Sequence, residues 1–483
     1  MTQAAACVPP APARSERRIS AATVGLYGIG EIPITMTMVL LGLFGLFFYN
    51  SVLGLPAPLV SIGFAAGLAL DAFLDPYIGY RSDRMSSRFG RRHGFMLVGA
   101  LTLGPSFFLL FSPPHLGQVS LFLWLLLSSV AFRVSSAIYR IPYLSLGAEL
   151  SQDYDERTRV IAVRSLFGLL GTAIAAGLSF LMFSGTSLAA GDAKMHYARY
   201  PLLGLTFGLA MTVSGLLAFW GTLSHRDRGQ SPPVIPPRRA FFSGFLLAMR
   251  NPAFRSVWLS FTTFFLAVVL NAALAVHYFT WFVQIHNNRY LSVIQISFAA
   301  GAFLGVLCWM ALAKRAEKRT LYAAGTLATA VLLCCASLLV GPGHLLGIGN
   351  PIPFILGHAA GGLCASALWV MPASMLADVA DQDQLATGLR REGIYFGILN
   401  FGEKLASVGS VTLAGLTLHY FVRLVPASPT QPVEVTNRLG MAYGLIPGVL
   451  AAVAAILILS YPLNRSVVSQ IQQRLEQARP RHV

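Results

Sequence analysis

Asp71 and Asp75 stand four residues apart inside the apolar run GLALDAFLDPYIGYRSDR. On a helix that spacing puts both carboxylates on one face. A charge in hydrocarbon costs roughly 2.5–3.5 kcal/mol on insertion scales, and two like charges one turn apart cost more. Two readings offset that cost. The carboxylate oxygens bind a small cation, or one of the pair holds a proton because two like charges in low dielectric resist joint ionisation. A plainer alternative is a pair held by a neighbouring Arg or Lys with no transport role.

The other charged side chains within apolar segments are Glu31, Arg133, Arg140, Glu403 and Lys404, with Arg164 just inside the fifth segment. Such residues face a bundle interior or a water-filled cavity. Arg133 and Arg140 are seven apart and share a face. Arg140 is the expected counter-charge to the aspartates, able to bridge both carboxylates, or else a binder of an anionic or hydroxylated substrate. Arg133 is expected to serve packing or an outer vestibule. Lys404 sits among small residues in NFGEKLASVGS and is expected to point into a cavity, the alternative being that it snorkels to the surface. Glu403, its neighbour, is expected off that face. Glu31 and Thr35, four apart, are candidate cavity residues. The GIG beside Glu31 lacks the strand and the full glycine pattern of a dinucleotide site. The turn RSDRMSSRFGRRHG suits a gate: Asp83, Arg84 and Arg91, with Glu149 and Asp378 from two other charged loops, are expected to form breakable ion pairs between two halves of the molecule.

Positioning these residues takes spanning helices. The chain has 483 residues, 55% hydrophobic and 11% charged, with mean hydropathy +0.64. Soluble domains carry about 25% charged residues, so an all-α polytopic membrane protein follows. About 20 apolar residues span a bilayer, and such segments fall at 22–50, 57–80, 94–113, 118–147, 160–184, 201–224, 254–285, 291–313, 320–341, 352–377, 391–421 and 437–463. The net charge of +16 lies in short loops alternating with loops almost free of Lys and Arg. That pattern is the positive-inside rule rather than a nucleic-acid site, and it places both termini in the cytoplasm. The loop around Asp192 and Lys194 is mixed. A Pro-rich basic stretch at 225–253 reads as a linker between six-helix bundles at 22–224 and 254–463, with tails at 1–21 and 464–483. An internal repeat agrees: Pro142 to Gly168 spans 26 steps through an acidic stretch, a Thr and an Arg, and Pro372 to Gly397 spans 25. Equivalent places in two halves are what parallel repeats give. The five cysteines show no metal-ligand spacing and no disulfide framework.

DAFLDPYIGYRSDRMSSRFGRRHGF resembles the second-helix signature of the glycoside–pentoside–hexuronide:cation symporter family of the major facilitator superfamily. IPYLSLGAELSQDYDERTRVIAVRSLFGLLG resembles its fourth-to-fifth helix junction. DVADQDQLATGLRREGIYFG followed by FGEKLASVG resembles its tenth-to-eleventh. The resemblance implies a major facilitator fold and a coupling-cation site that includes Asp71 and Asp75. It also implies sugar contact by Arg164 and a lysine at the sugar and cation site, Lys404. Where the family places a third cation-site aspartate two residues before a fourth-helix proline, this chain has Arg140. The family's first-helix sugar-binding aspartate falls near Thr35, with Glu31 a turn away.

The expected function is therefore alternating-access transport of a sugar, glycoside or hexuronide, coupled to H+ or Na+, with H+ favoured by Arg140. The setting is the bacterial inner membrane, the working unit a monomer, with no cofactor and no nucleic-acid partner. Within the class, the alternative is a transporter of an anionic amphiphile such as a lysophospholipid. A membrane enzyme acting on lipid-linked sugars would need a nucleophile or His/Asp metal motif, and the sequence carries neither. A passive channel fits poorly with the repeat and the gate motif.

Overall fold

Backbone polar groups in hydrocarbon must be satisfied within the segment, which leaves the helix as the open solution. The computed structural model describes residues 19–85, 87–151, 153–184, 192–225, 245–341, 343–389 and 391–478. Among the described residues twelve helices are long and apolar enough to cross a membrane. They are α1 Ala21–Val52, α2 Ala57–Arg84, α3 His93–Leu110, α4 Gln118–Gly147, α5 Glu156–Leu181 and α6 Arg199–His225, then α7 Pro252–Phe282, α8 Asn288–Leu312, α9 Lys318–Leu338, α10 Ile352–Thr387, α11 Glu392–Val422 and α12 Val433–Ile458. The segments expected from hydropathy are these twelve, with one clear difference. The tenth was expected to stop at 377, whereas α10 runs on to Thr387 and ends at Gly388, whose φ of +71° suits glycine. Asp378, Asp381 and Asp383 dilute the apolar signal there without breaking the helix.

The helices form two six-helix bundles, α1–α6 and α7–α12, with parallel features. The first helix of each ends in a π turn, Phe48–Val52 in α1 and Tyr278–Phe282 in α7. The fourth helix of each carries an internal proline, Pro142 in α4 and Pro372 in α10. Helix pairs approach closely where side chains are small. A Cβ on Gly208 of α6 would lie 2.7 Å from the Gly104 carbonyl oxygen of α3, and one on Gly444 of α12 would lie 2.1 Å from that of Leu333 on α9.

The apolar packing has a direction. One buried cluster is continuous across both halves, joining Phe44, Phe47 and Tyr49 to Leu274, Tyr278 and Tyr443. Toward the face that carries the basic loops, the packing divides. One cluster there belongs to α7–α12 and the other to the first half, around Tyr27, Met96 and Tyr139. Among the described residues, the halves thus share one apolar seal at one face, while no apolar cluster joins them at the basic face, the cleft side.

At the sealed face the rings of Phe47 and His277 lie 5.0 Å apart. In the turn between α5 and α6, Lys194 is wholly buried. Its Nζ lies 2.8 Å from Asp192 Oδ2 and donates to Asn288 Oδ1 of α8 at 2.8 Å. Asn288 in turn donates to the Phe183 carbonyl at 3.0 Å.

Within the tail at 464–483, residues 465–478 form a helix, α13 Arg465–Ala478. Its Val467, Val468, Ile471 and Leu475 lie on one stripe and pack on the basic-face cluster of the second half. The stripe is too short and too polar overall to register as a span. Residues 1–18 of the N-terminal tail and 226–244 of the linker lie outside the described residues.

Candidate functional site

The site is assembled by close helix approaches. Gly67 of α2 lies against α4: a Cβ there would sit 2.5 Å from Ser129 Oγ and 3.2 Å from Arg133 Cγ. One turn on, Arg133 Nη1 meets Asp71 Oδ2 at 3.5 Å. Two turns further along α4, Arg140 Nη2 donates to Asp75 Oδ2 at 2.7 Å. The counter-charge is therefore divided, with Arg133 on Asp71 and Arg140 on Asp75.

Lys404 arrives from the other half. Its Nζ donates to Asp75 Oδ2 and, at 3.2 Å, to the backbone carbonyl of Asp71. Asp75 Oδ2 thus serves two cations from two halves. Asp75 Oδ1 is buried and, among the described residues, has no hydrogen-bond partner. Nearer the sealed face, α2 and α11 are held by the Ser61 hydroxyl, which donates to the Val411 carbonyl at 2.7 Å.

A second group lies between α1 and α5. Gly168 brings α5 onto Glu31 and Thr35: its Cβ would lie 3.2 Å from Glu31 Cγ and 3.4 Å from Thr35 Cγ2. One turn away, Arg164 Nε lies 3.5 Å from Glu31 Oε2. The Thr35 hydroxyl donates to its own helix, at 3.2 Å to Ile32. The rings of Tyr27 and Tyr143 stack 4.7 Å apart beside this pair. The Tyr143 hydroxyl donates to the Tyr27 carbonyl at 3.0 Å, and Tyr139 donates to that of Gly30 at 3.0 Å.

The gate candidates form clasps within each half. Asp83 meets Arg92 at 2.9 Å. Glu149 receives Arg92 Nε at 2.8 Å and Arg91 Nη2 at 2.9 Å. Arg84 lies 4.2 Å over the Tyr80 ring. In the second half, Asp378 pairs with Lys318 at 2.6 Å. Asp383 pairs with Arg391 at 2.6 Å, and those hydrogen bonds hold the Arg391 guanidinium above its ordinary pKa.

Among the described residues, no three or more His, Cys, Asp or Glu side chains gather as a metal-ligating set. Any cation would rest on the aspartate pair and nearby carbonyls. Local spacing does not give the places of four residues. Arg133 shares the face of Arg140, but spacing does not give its depth. Glu403 was set aside for adjoining Lys404. The partners Lys194 and Asn288 are 94 residues apart, beyond any local pattern.

The family described as MFS/sugar transport protein matches residues 26–465. An uncharacterized symporter of Synechocystis is 26% identical, over 93% of this chain and 95% of that one. A sodium-dependent lysophosphatidylcholine symporter of Danio rerio is 25% identical, over 93% and 88%. An isoprimeverose transporter of Lactiplantibacillus pentosus is 23% identical, over 91% and 88%. Among solved structures, an inward-facing bacterial homologue of the human lysosomal transporter Spinster superposes with a TM-score of 0.61 at 15% identity, covering 96% of this chain and 98% of that one.

Proposed function

This chain belongs to the MFS/sugar transport protein family, and from that membership we propose that it is a symporter that carries a small organic substrate with a cation by alternating access. The observation that carries the reading is Asp75: one oxygen holds Arg140 and Lys404 from opposite halves, and the other has no donor among the described residues. A cation arriving at this carboxylate competes with the two internal cations. It frees Arg140 or Lys404 to bind substrate and so links ion binding to the relation between the halves.

The ion is H+ or Na+, and H+ is favoured because three fixed basic groups already crowd the aspartate pair. The substrate is a sugar, glycoside or hexuronide, with Arg164, Glu31 and Thr35 lining its site. The family's description and the isoprimeverose transporter support this. A second reading, an anionic amphiphile such as a lysophospholipid, is favoured by the grouping of Arg140, Arg164 and Lys404 and by the lysophosphatidylcholine relative. Asp83, Arg84, Arg91, Glu149 and Asp378 are gate residues that exchange partners when the cleft closes. The protein works as a monomer without a cofactor in a bacterial inner membrane, its termini and basic loops cytoplasmic.

Uptake of labelled glycosides, glucuronides and lysophosphatidylcholine into proteoliposomes, under imposed H+ or Na+ gradients, tests the reading. Gradient-driven accumulation of a glycoside or glucuronide is the expected result. If neither gradient drives accumulation of any of the three, symport is wrong; accumulation of the lysophospholipid alone replaces the sugar reading with the second.

A further inference from the structure

Glu403 is a charged side chain within a span that the site above leaves unused. Its backbone carbonyl accepts from Ser407, but among the described residues no hydrogen bond or ion pair holds its carboxylate. An acid placed in hydrocarbon without a partner marks a functional position.

We propose that Glu403 is the residue that receives Arg140 when Asp75 is neutralised, and that this new ion pair, made between halves, closes the cleft. The proposal rests on the symport reading and adds the residue through which ion binding becomes closure.

Helix geometry places Glu403 at the cleft. Successive residues are about 100° apart around a helix. Gly402 faces α7, where a Cβ would lie 2.5 Å from Thr262 Oγ1 and 2.7 Å from Trp258 Nε1. Lys404 faces α2. Glu403 occupies the arc between them, which it shares with the exposed Asn400. On the Lys404 side of α11, toward the basic face, Cβ atoms on Gly397 and Gly393 would meet nothing within 4 Å. Lys404, next to Glu403 in sequence, shares Asp75 Oδ2 with Arg140, which brings the Arg140 guanidinium to this part of α11.

The choice between those two cations follows from connectivity. Asp75 already carries both on one oxygen, so an added cation or proton must weaken at least one contact. Lys404 adjoins Glu403 in sequence, and adjacent helical residues do not face each other. A Lys404–Glu403 pair would also lie within one helix and join nothing. Arg140 belongs to α4 in the first half, so its transfer to Glu403 joins the halves on the cleft side of the site. Its planar guanidinium suits exchange between two carboxylates.

The test uses full-length protein with the five native cysteines replaced by serine and a reporter at Gly397→Cys, labelled by a membrane-impermeant maleimide in detergent. Asp75→Asn stands in for the neutralised carboxylate, so the coupling ion need not be known. Labelling is expected to fall severalfold in Asp75→Asn, to recover in Asp75→Asn/Glu403→Gln, and to stay low in Asp75→Asn/Glu403→Asp. Equal protection with and without Glu403 overturns the proposal, as does unchanged labelling in a monodisperse Asp75→Asn protein. Asp75→Ser repeats the comparison if the asparagine variant does not fold. Failure of every gradient in the uptake assay would sink symport and leave this readout intact, because labelling reports closure alone.

Discussion

Asp71 and Asp75 are equal in sequence and unequal in structure, so their substitutions should separate. Among the described residues the Asp71 carboxylate pairs with Arg133, at 3.5 Å, while Asp75 binds both halves. Asp71→Asn is expected to abolish accumulation while substrate exchange survives, read as gradient-driven uptake against counterflow; unimpaired accumulation would remove Asp71 from the coupling site. Arg140→Asp adds a carboxylate and deletes a competing cation, so uptake should gain Na+ dependence. An inert but well-folded variant would count against that logic. Which acids and bases sit inside the membrane was legible from the sequence, because each interrupts an apolar run. Their pairing was not. Arg133 and Arg140 share a face at any depth, and only the contact at Gly67 decides which of them meets Asp71.

Helices in hydrocarbon gain little from hydrophobic burial against one another, so close packing carries much of their association. Gly415 of α11 shows how tight that packing is: a Cβ there would lie 1.9 Å from Ser61 Oγ and 2.6 Å from the Ala57 carbonyl oxygen of α2. Gly415→Ala should therefore lower stability by about 1–3 kcal/mol, the usual cost of overpacking, seen as a lower unfolding temperature in detergent. Gly409→Ala is the control. Its Cβ would meet Leu266 Cδ1 at 3.3 Å, a flexible tip that can yield, and near-parental stability is expected. Helix number and order were legible because hydropathy reports span length directly. The π turns and α13 were not, since a π turn leaves no periodic mark and a 14-residue amphipathic helix resembles a polar tail.

At the scale of the whole molecule, the sealed face must open for the transport cycle to turn, and the contact of Lys194 with Asn288 must then break. Asn288→Ala leaves the buried ammonium short of one acceptor, a loss of about 1–3 kcal/mol borne only by the sealed state. Spin-label distances across that face should lengthen in a larger fraction of molecules, and an unchanged distribution would remove the contact as a latch. Burial pushes the Lys194 amine below its ordinary pKa, and Asp192 opposes the shift. The sealed state therefore binds fewer protons than one in which Lys194 is hydrated. Sealing should strengthen as pH rises from the lowered value toward about 10.4, that of a free lysine. The same spin labels, compared at neutral and alkaline pH, test the sign. One more consequence lies in the shared oxygen of Asp75. At mid-span, among the described residues, the acids Asp71, Asp75, Glu31 and Glu403 match the bases Arg133, Arg140, Arg164 and Lys404, four against four. The unloaded carrier is then formally neutral at its centre, and its return leg should be indifferent to voltage. With a neutral substrate, the membrane potential would drive only the cation-loaded leg, at about 2.3 kcal/mol per charge for each 100 mV, and transient currents on solid-supported membranes should appear with the coupling ion and vanish without it.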